Sequence, residues 1–166
     1  MAKDELAVLG LFVALLVAIL WFGRKRAPLG YRATESLMTP AELKFYRVLR
    51  QALPDSCLVF TKVRVADVMV PKSAKDRGRW RAAFNKVACK HFDYVVCDEG
   101  MRVLFAIELD DASHQKKERK ERDRFLEWAC ESAGVELLRV PLRREYDRAA
   151  LKKRLQRACK DGQKRP

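Results

Sequence analysis

Asp93, Glu108, Asp110, Asp111, Ser113 and His114 are the residues of this chain whose types and spacing best suit chemistry. Phe92–Asp98 and Arg102–Leu109 read as two apolar strands joined by a turn at Asp98-Glu99-Gly100-Met101. Asp93 opens the first strand, and Glu108-Leu109-Asp110-Asp111-Ala112-Ser113-His114 closes the second. In an antiparallel hairpin those two ends share one edge. Pairing Cys97 with Arg102 sets Asp93 opposite Ala106, with Glu108 on the same face at a diagonal of about 7–8 Å. Asp110 has the parity of Glu108 and projects to the same side. Three converging carboxylates repel unless a positive group lies between them, and a divalent cation is the usual answer. Acidic residues at strand ends also make turns and helix N-caps, so the hairpin alone does not decide the matter.

The elements that would position these residues read as follows. Thr39-Pro40-Ala41-Glu42 is a helix start with a capping box, and Leu43, Tyr46, Leu49 and Leu53 carry the helix to about Ala52. Cys57–Val65 alternates as a strand, with Leu58, Phe60 and Lys62 on one face. Ala66–Pro71 is ambiguous, and Ser73–Arg81 is a basic excursion or short helix in which Trp80 and Phe84 serve the core or stack on bases. Gln115–Ala133 is a helix, charged in its first half and apolar in its second. Val135–Val140 is a strand and Tyr146–Cys159 a final basic helix. The expected fold is α/β: a small mixed sheet with flanking helices.

Length and charge add further expectations. A chain of 166 residues favours one domain with appendages. The domain is expected at 37–160, after a basic linker at 24–36 and before a disordered tail at 161–166. Leu6–Phe22 is an unbroken apolar run of about 25 Å as a helix, flanked by Arg24-Lys25-Arg26. It reads as an uncleaved transmembrane anchor over 1–23 rather than a signal peptide, because no basic segment precedes it. The positive-inside rule then predicts a single-pass inner-membrane protein, N-terminus outside and C-terminal domain cytoplasmic. Five scattered cysteines without a C-x-x-C pair argue against zinc and disulfides. A net charge of +13 points to a polyanionic partner, nucleic acid or anionic lipid.

Several stretches together resemble a known family. "LMTPAELKFYRVL", "KHFDYVVCD", "AIELDDASH", "RDRFLEWACESAG" and "ELLRVP" resemble the bacterial DUF2726 family, across about Leu37 to Tyr146. That family is similar to the very-short-patch-repair endonuclease-like branch of the PD-(D/E)XK nuclease superfamily. The resemblance implies a core of helix, three-stranded meander, helix and strand, with Mg²⁺- or Mn²⁺-dependent phosphodiester cleavage of DNA and no small-molecule cofactor. It implies Asp93 and the Leu109 carbonyl as metal ligands and Glu108 as metal ligand or water activator, with Glu42 pointing into the site and His114 shuttling protons. Asp123 and Arg139 match polar positions of the later helix and strand. The superfamily's lysine would stand at position 110, where this chain has aspartate. Asp110 is then a further ligand, with Lys90, Lys116 or His114 supplying the positive group. Lys90, Lys116, Lys117, Arg119, Lys120 and Arg139 are the expected nucleic-acid contacts. The alternative is an inactive nuclease fold that binds nucleic acid or anionic lipid at the membrane. Glu42 also serves as a capping residue, His114 as a helix cap and Asp123 as a salt-bridge partner.

Overall fold

The computed structural model describes residues 2–22, 29–72, 75–110 and 117–164, with the backbone alone at 2–4, 20, 22, 117–120 and 122. It divides into two units, Met1–Leu37 and Met38–Pro166. The first holds one helix, α1 (Ala2–Phe22), whose described side chains are exposed. Among the described residues no helix is long and apolar enough to cross a membrane. This corrects the expected transmembrane anchor, and with it the single-pass inner-membrane placement.

The second unit runs α2 (Pro40–Ala52), β1 (Leu58–Arg64), α3 (Val65–Val68), α4 (Arg77–Ala88), β2 (His91–Cys97), β3 (Val103–Asp110), α5 (Lys117–Ala133), β4 (Leu137–Pro141) and α6 (Arg148–Gln163). Its sheet has the order β1-β2-β3-β4. The first three strands form an antiparallel meander, and β4 pairs in parallel with β3 after the α5 crossover. The expected mixed sheet with flanking helices is therefore present.

Both faces of the sheet are covered, which is why β2 and β3 read as apolar runs rather than alternating ones. On one face Tyr94, Val96, Phe105, Ile107, Leu138 and Val140 pack with Phe45 and Leu49 of α2 and Leu151, Leu155 and Cys159 of α6. On the other, Val95, Cys97 and Ala106 meet Val65 and Ala66 of α3, Val87 of α4, and Leu126 and Cys130 of α5. The α2 start is the capping box read from sequence: Glu42 N–H donates to Thr39 Oγ1 at 3.3 Å, and Thr39 N–H to Glu42 Oε2 at 2.8 Å.

Three local readings change. The basic excursion is a full helix, α4, started by Asp76, whose Oδ1 accepts from Gly78 N–H at 2.7 Å and Arg79 N–H at 3.2 Å. Trp80 and Phe84 lie one turn apart on it and stack at 5.2 Å, and Phe84 packs against the core. The last helix passes Cys159 and runs to Gln163, so residues 161–163 of the expected tail are helical. The hairpin register also differs. Cys97 pairs with Val103, not Arg102, and a bulge between Val96 and Cys97 sets Val96 against Phe105. Together these shift β3 by two residues, so Ala106 faces Val95 rather than Asp93. Met101, at φ 64, completes the turn, with Asp98 Oδ1 accepting from Arg102 N–H at 2.9 Å.

Candidate active site

The register that moves Ala106 away from Asp93 brings Glu108 to it. Tyr94 pairs with Ile107, so the next rung sets Asp93 beside Glu108. Glu108 pairs in turn with Arg139 on β4. On the other side, Thr61↔Tyr94 and Val63↔Phe92 bracket Lys62 and Asp93. One row therefore crosses all four strands, Lys62, Asp93, Glu108, Arg139, with charges plus, minus, minus, plus. The two carboxylates are cross-strand neighbours, closer than the diagonal read from sequence.

Each member has a defined setting. Asp93 Oδ1 accepts from Lys62 Nζ at 2.9 Å, and its Oδ2 accepts from the Leu109 backbone N–H at 2.9 Å. Lys62 Nζ also donates to Glu42 Oε1 at 2.5 Å. Tyr94 Oη donates to the Glu42 carbonyl at 2.7 Å, tying the first turn of α2 to the sheet. Glu42 is thus both the capping residue and a member of the site. Burial raises its pKa, but Lys62 and the Thr39 backbone outweigh that and hold the carboxyl below its ordinary value. Burial disfavours the Lys62 ammonium, yet its hydrogen bonds to Glu42 and Asp93 leave its pKa raised.

Arg139 closes the far end of the row. Its Nη1 donates to Asp110 Oδ1 at 2.7 Å and its Nε to Glu127 Oε1 at 2.6 Å, and Nη2 lies 3.6 Å from Asp123 Oδ1. Three acidic side chains therefore occupy the guanidinium. Asp110 is held by Arg139 and does not join Asp93 and Glu108 in a three-carboxylate centre. Among the described residues, no three His, Cys, Asp or Glu side chains form a group able to hold a metal ion.

Glu108, between the two cations, is the exception. Its Oε1 is buried with no hydrogen-bond partner among the described residues. Burial, then Asp93, push its pKa up to about 7; Arg139 opposes this, and Asp110 and Asp123 add to it. An unpartnered buried carboxylate oxygen is costly, and a proton or a bound cation relieves the cost.

The other expected residues divide. Lys90 is half-buried, and its carbonyl accepts from Val65 N–H at 2.8 Å just before β2. Lys117, Arg119 and Lys120 belong to the first turn of α5, where only the backbone is described. Asp111, Ser113, His114 and Lys116 lie outside the described residues. Lys62 is a site residue that the sequence reading does not single out. The signal for it is a lone lysine within the apolar run Leu58-Val59-Phe60-Thr61-Lys62-Val63, where a buried face has no use for a cation.

A family model described as "Protein of unknown function (DUF2726)" matches residues 34–158, and the chain belongs to that family. No curated protein and no solved structure matches.

Proposed function

For this DUF2726 member we propose metal-dependent hydrolysis of phosphodiester bonds in nucleic acid, DNA being the favoured substrate, on a PD-(D/E)XK-like core. The observation that carries the reading is the buried, unpartnered Glu108 Oε1 on the rung beside Asp93. The element order supports it: α2, the β1-β2-β3 meander, α5 and β4 follow the order of that core.

The donor set fits Mg²⁺ or Mn²⁺. Such ions take oxygen ligands, keep several waters and need only one or two carboxylates. Asp93 and Glu108 would hold the ion, with the Leu109 carbonyl as a third oxygen. When bound, it supplies Lewis-acid stabilisation of charge on a phosphoryl oxygen. The chain's own groups do the rest. Arg139 fixes Asp110 and Glu127 at the edge of the site. The Leu109 N–H and Lys62 orient the Asp93 carboxylate. Glu108 Oε1, buried and without a partner among the described residues, is the oxygen left for the ion. His114 remains the candidate for a proton route.

The net charge of +13 supports a polyanionic partner. So does α4, whose Arg77, Arg79, Arg81 and Lys86 are exposed. Helices α4 and α5 cover the same sheet face, the one that Glu108 and Arg139 share by strand parity with Ala106 and Leu137. A phosphate backbone laid along α4 would therefore run on the side of the site.

The test is cleavage of labelled single- and double-stranded DNA by the full chain with Mg²⁺ or Mn²⁺, beside an EDTA blank. Metal-dependent cutting that falls at least 100-fold in both Asp93→Ala and Glu108→Ala is expected. Equal behaviour of wild type and both variants overturns the enzyme reading. If all three then bind DNA without cutting it, the chain is a binding module.

A further inference from the structure

Cleaving a phosphodiester gathers negative charge on the non-bridging oxygens, and a positive group facing the site stabilises it. Arg139 is committed to Asp110, Asp123 and Glu127. Lys62 is placed differently. Its ammonium bridges Glu42 Oε1 and Asp93 Oδ1 while its side chain stays 31% exposed, so it reaches both the carboxylates and solvent.

Its backbone adds an independent observation. Lys62 has φ 54, the left-handed region that side chains other than Gly, Asn and Asp rarely adopt. It sits inside a strand, between the regular pairs Thr61↔Tyr94 and Val63↔Phe92. Such a conformation costs about 1–3 kcal/mol and persists where the surroundings demand it. Here the demand is visible in two ion pairs, which bring an ammonium from β1 to carboxylates on α2 and β2.

We propose that Lys62 is the resident cation of this site. It neutralises Glu42 and Asp93 at rest and presents its ammonium to the phosphoryl oxygens of a bound strand. The second half rests on the phosphodiesterase reading; the first does not. Lys62, Glu42 and Asp93 sum to a charge of −1, and without the lysine they sum to −2. Losing Lys62 also frees Asp93 Oδ1 from a competing donor. A divalent cation then binds more tightly, while stabilisation of phosphate charge is lost. A merely structural lysine does not move those two quantities in opposite directions.

The experiment compares the full chain with Lys62→Met, Lys62→Arg and Lys62→Gly. Mn²⁺ is titrated by electron paramagnetic resonance, and DNA cleavage is measured in parallel. Glycine removes the same charge but tolerates the positive φ, so it serves if the methionine variant does not fold. Lys62→Met and Lys62→Gly are expected to bind Mn²⁺ at least fivefold more tightly and to cleave at least 100-fold more slowly. Lys62→Arg is expected to recover part of the cleavage and to bind Mn²⁺ as wild type does. Unchanged or weaker Mn²⁺ binding in folded charge-loss variants, or cleavage retained in them, overturns the proposal. If the wild-type chain cuts no DNA, the phosphodiesterase reading falls with its own assay. The Mn²⁺ shift by itself then decides whether Lys62 is the resident cation.

Discussion

Glu108 carries negative neighbours in Asp93, Asp110 and Asp123, and its buried Oε1 has no hydrogen-bond partner among the described residues. Its folded pKa, about 7, is raised above the ordinary 4.5, so folding favours the protonated form. The stability this contributes is complete below about pH 4.5 and is lost as pH rises through 7. The Glu42 carboxyl shifts downward and the Lys62 ammonium upward, so neither shift acts in that window. At about 1.4 kcal/mol per unit, a loss on the order of 2 kcal/mol between pH 5 and pH 8 is expected for the metal-free protein. Its melting temperature should fall over that range, and Glu108→Gln should flatten the fall in thermal denaturation scans. Added Mn²⁺ should restore stability at pH 8 in the wild type and not in the Gln variant.

Two helices set the site's reach. At the start of α2, Thr39→Ala removes the acceptor for Glu42 N–H. It should cost about 1 kcal/mol in urea denaturation, and it loosens the turn that carries the Glu42 carboxylate to Lys62. Helix α4 bears on substrate instead. Arg77→Glu, Arg79→Glu and Arg81→Glu together are expected to weaken DNA binding by at least tenfold and to reduce the slope of log affinity against log salt. Lys152→Glu, Lys153→Glu and Arg154→Glu make the same change of charge on exposed positions of α6, which packs on the opposite sheet face. That control should cost much less; equal losses from both sets would mean that net charge, not a track along α4, holds the DNA. Filter binding across a salt series distinguishes the two. The sequence leaves α4 between an excursion and a short helix because its core-facing residues are few, only Val87 being buried among its arginines.

At the scale of the whole second unit, the sheet is clamped between two helical layers, and α6 approaches it closely. A Cβ on Gly162 would lie 2.7 Å from the Leu104 carbonyl oxygen and 2.9 Å from Leu104 Cα, both backbone atoms that cannot swing aside. Gly162→Ala should destabilise the chain by about 1–3 kcal/mol, measured by urea denaturation. The clash reaches β3 near the hairpin bulge, so loss of register between Asp93 and Glu108 is expected with it, read as weaker Mn²⁺ binding. The α1 unit follows a different rule. Its apolar composition reads directly from the residues, but among the described residues no helix is long and apolar enough for the transmembrane role that composition alone implied.

Local chemistry makes much of this protein legible in its residues alone. The capping box at Thr39 and Glu42, the apolar runs of β2 and β3, the crossover α5 and the nearness of Asp93 to Glu108 all depend on neighbours in sequence or on strand parity, which composition and spacing report. Four features depend on contacts between distant segments. A bulge at Val96 and Cys97 decides that the two carboxylates share a rung. Parallel pairing with β4 brings Arg139 to Asp110. A left-handed residue inside β1 turns Lys62 toward Glu42 and Asp93. Burial leaves one oxygen of Glu108 without a partner among the described residues. Charge and residue type are properties of the chain. Which charges face one another, and which is left unpaired, is set by packing, because Coulomb and desolvation energies depend on distances and burial that only the folded sheet defines.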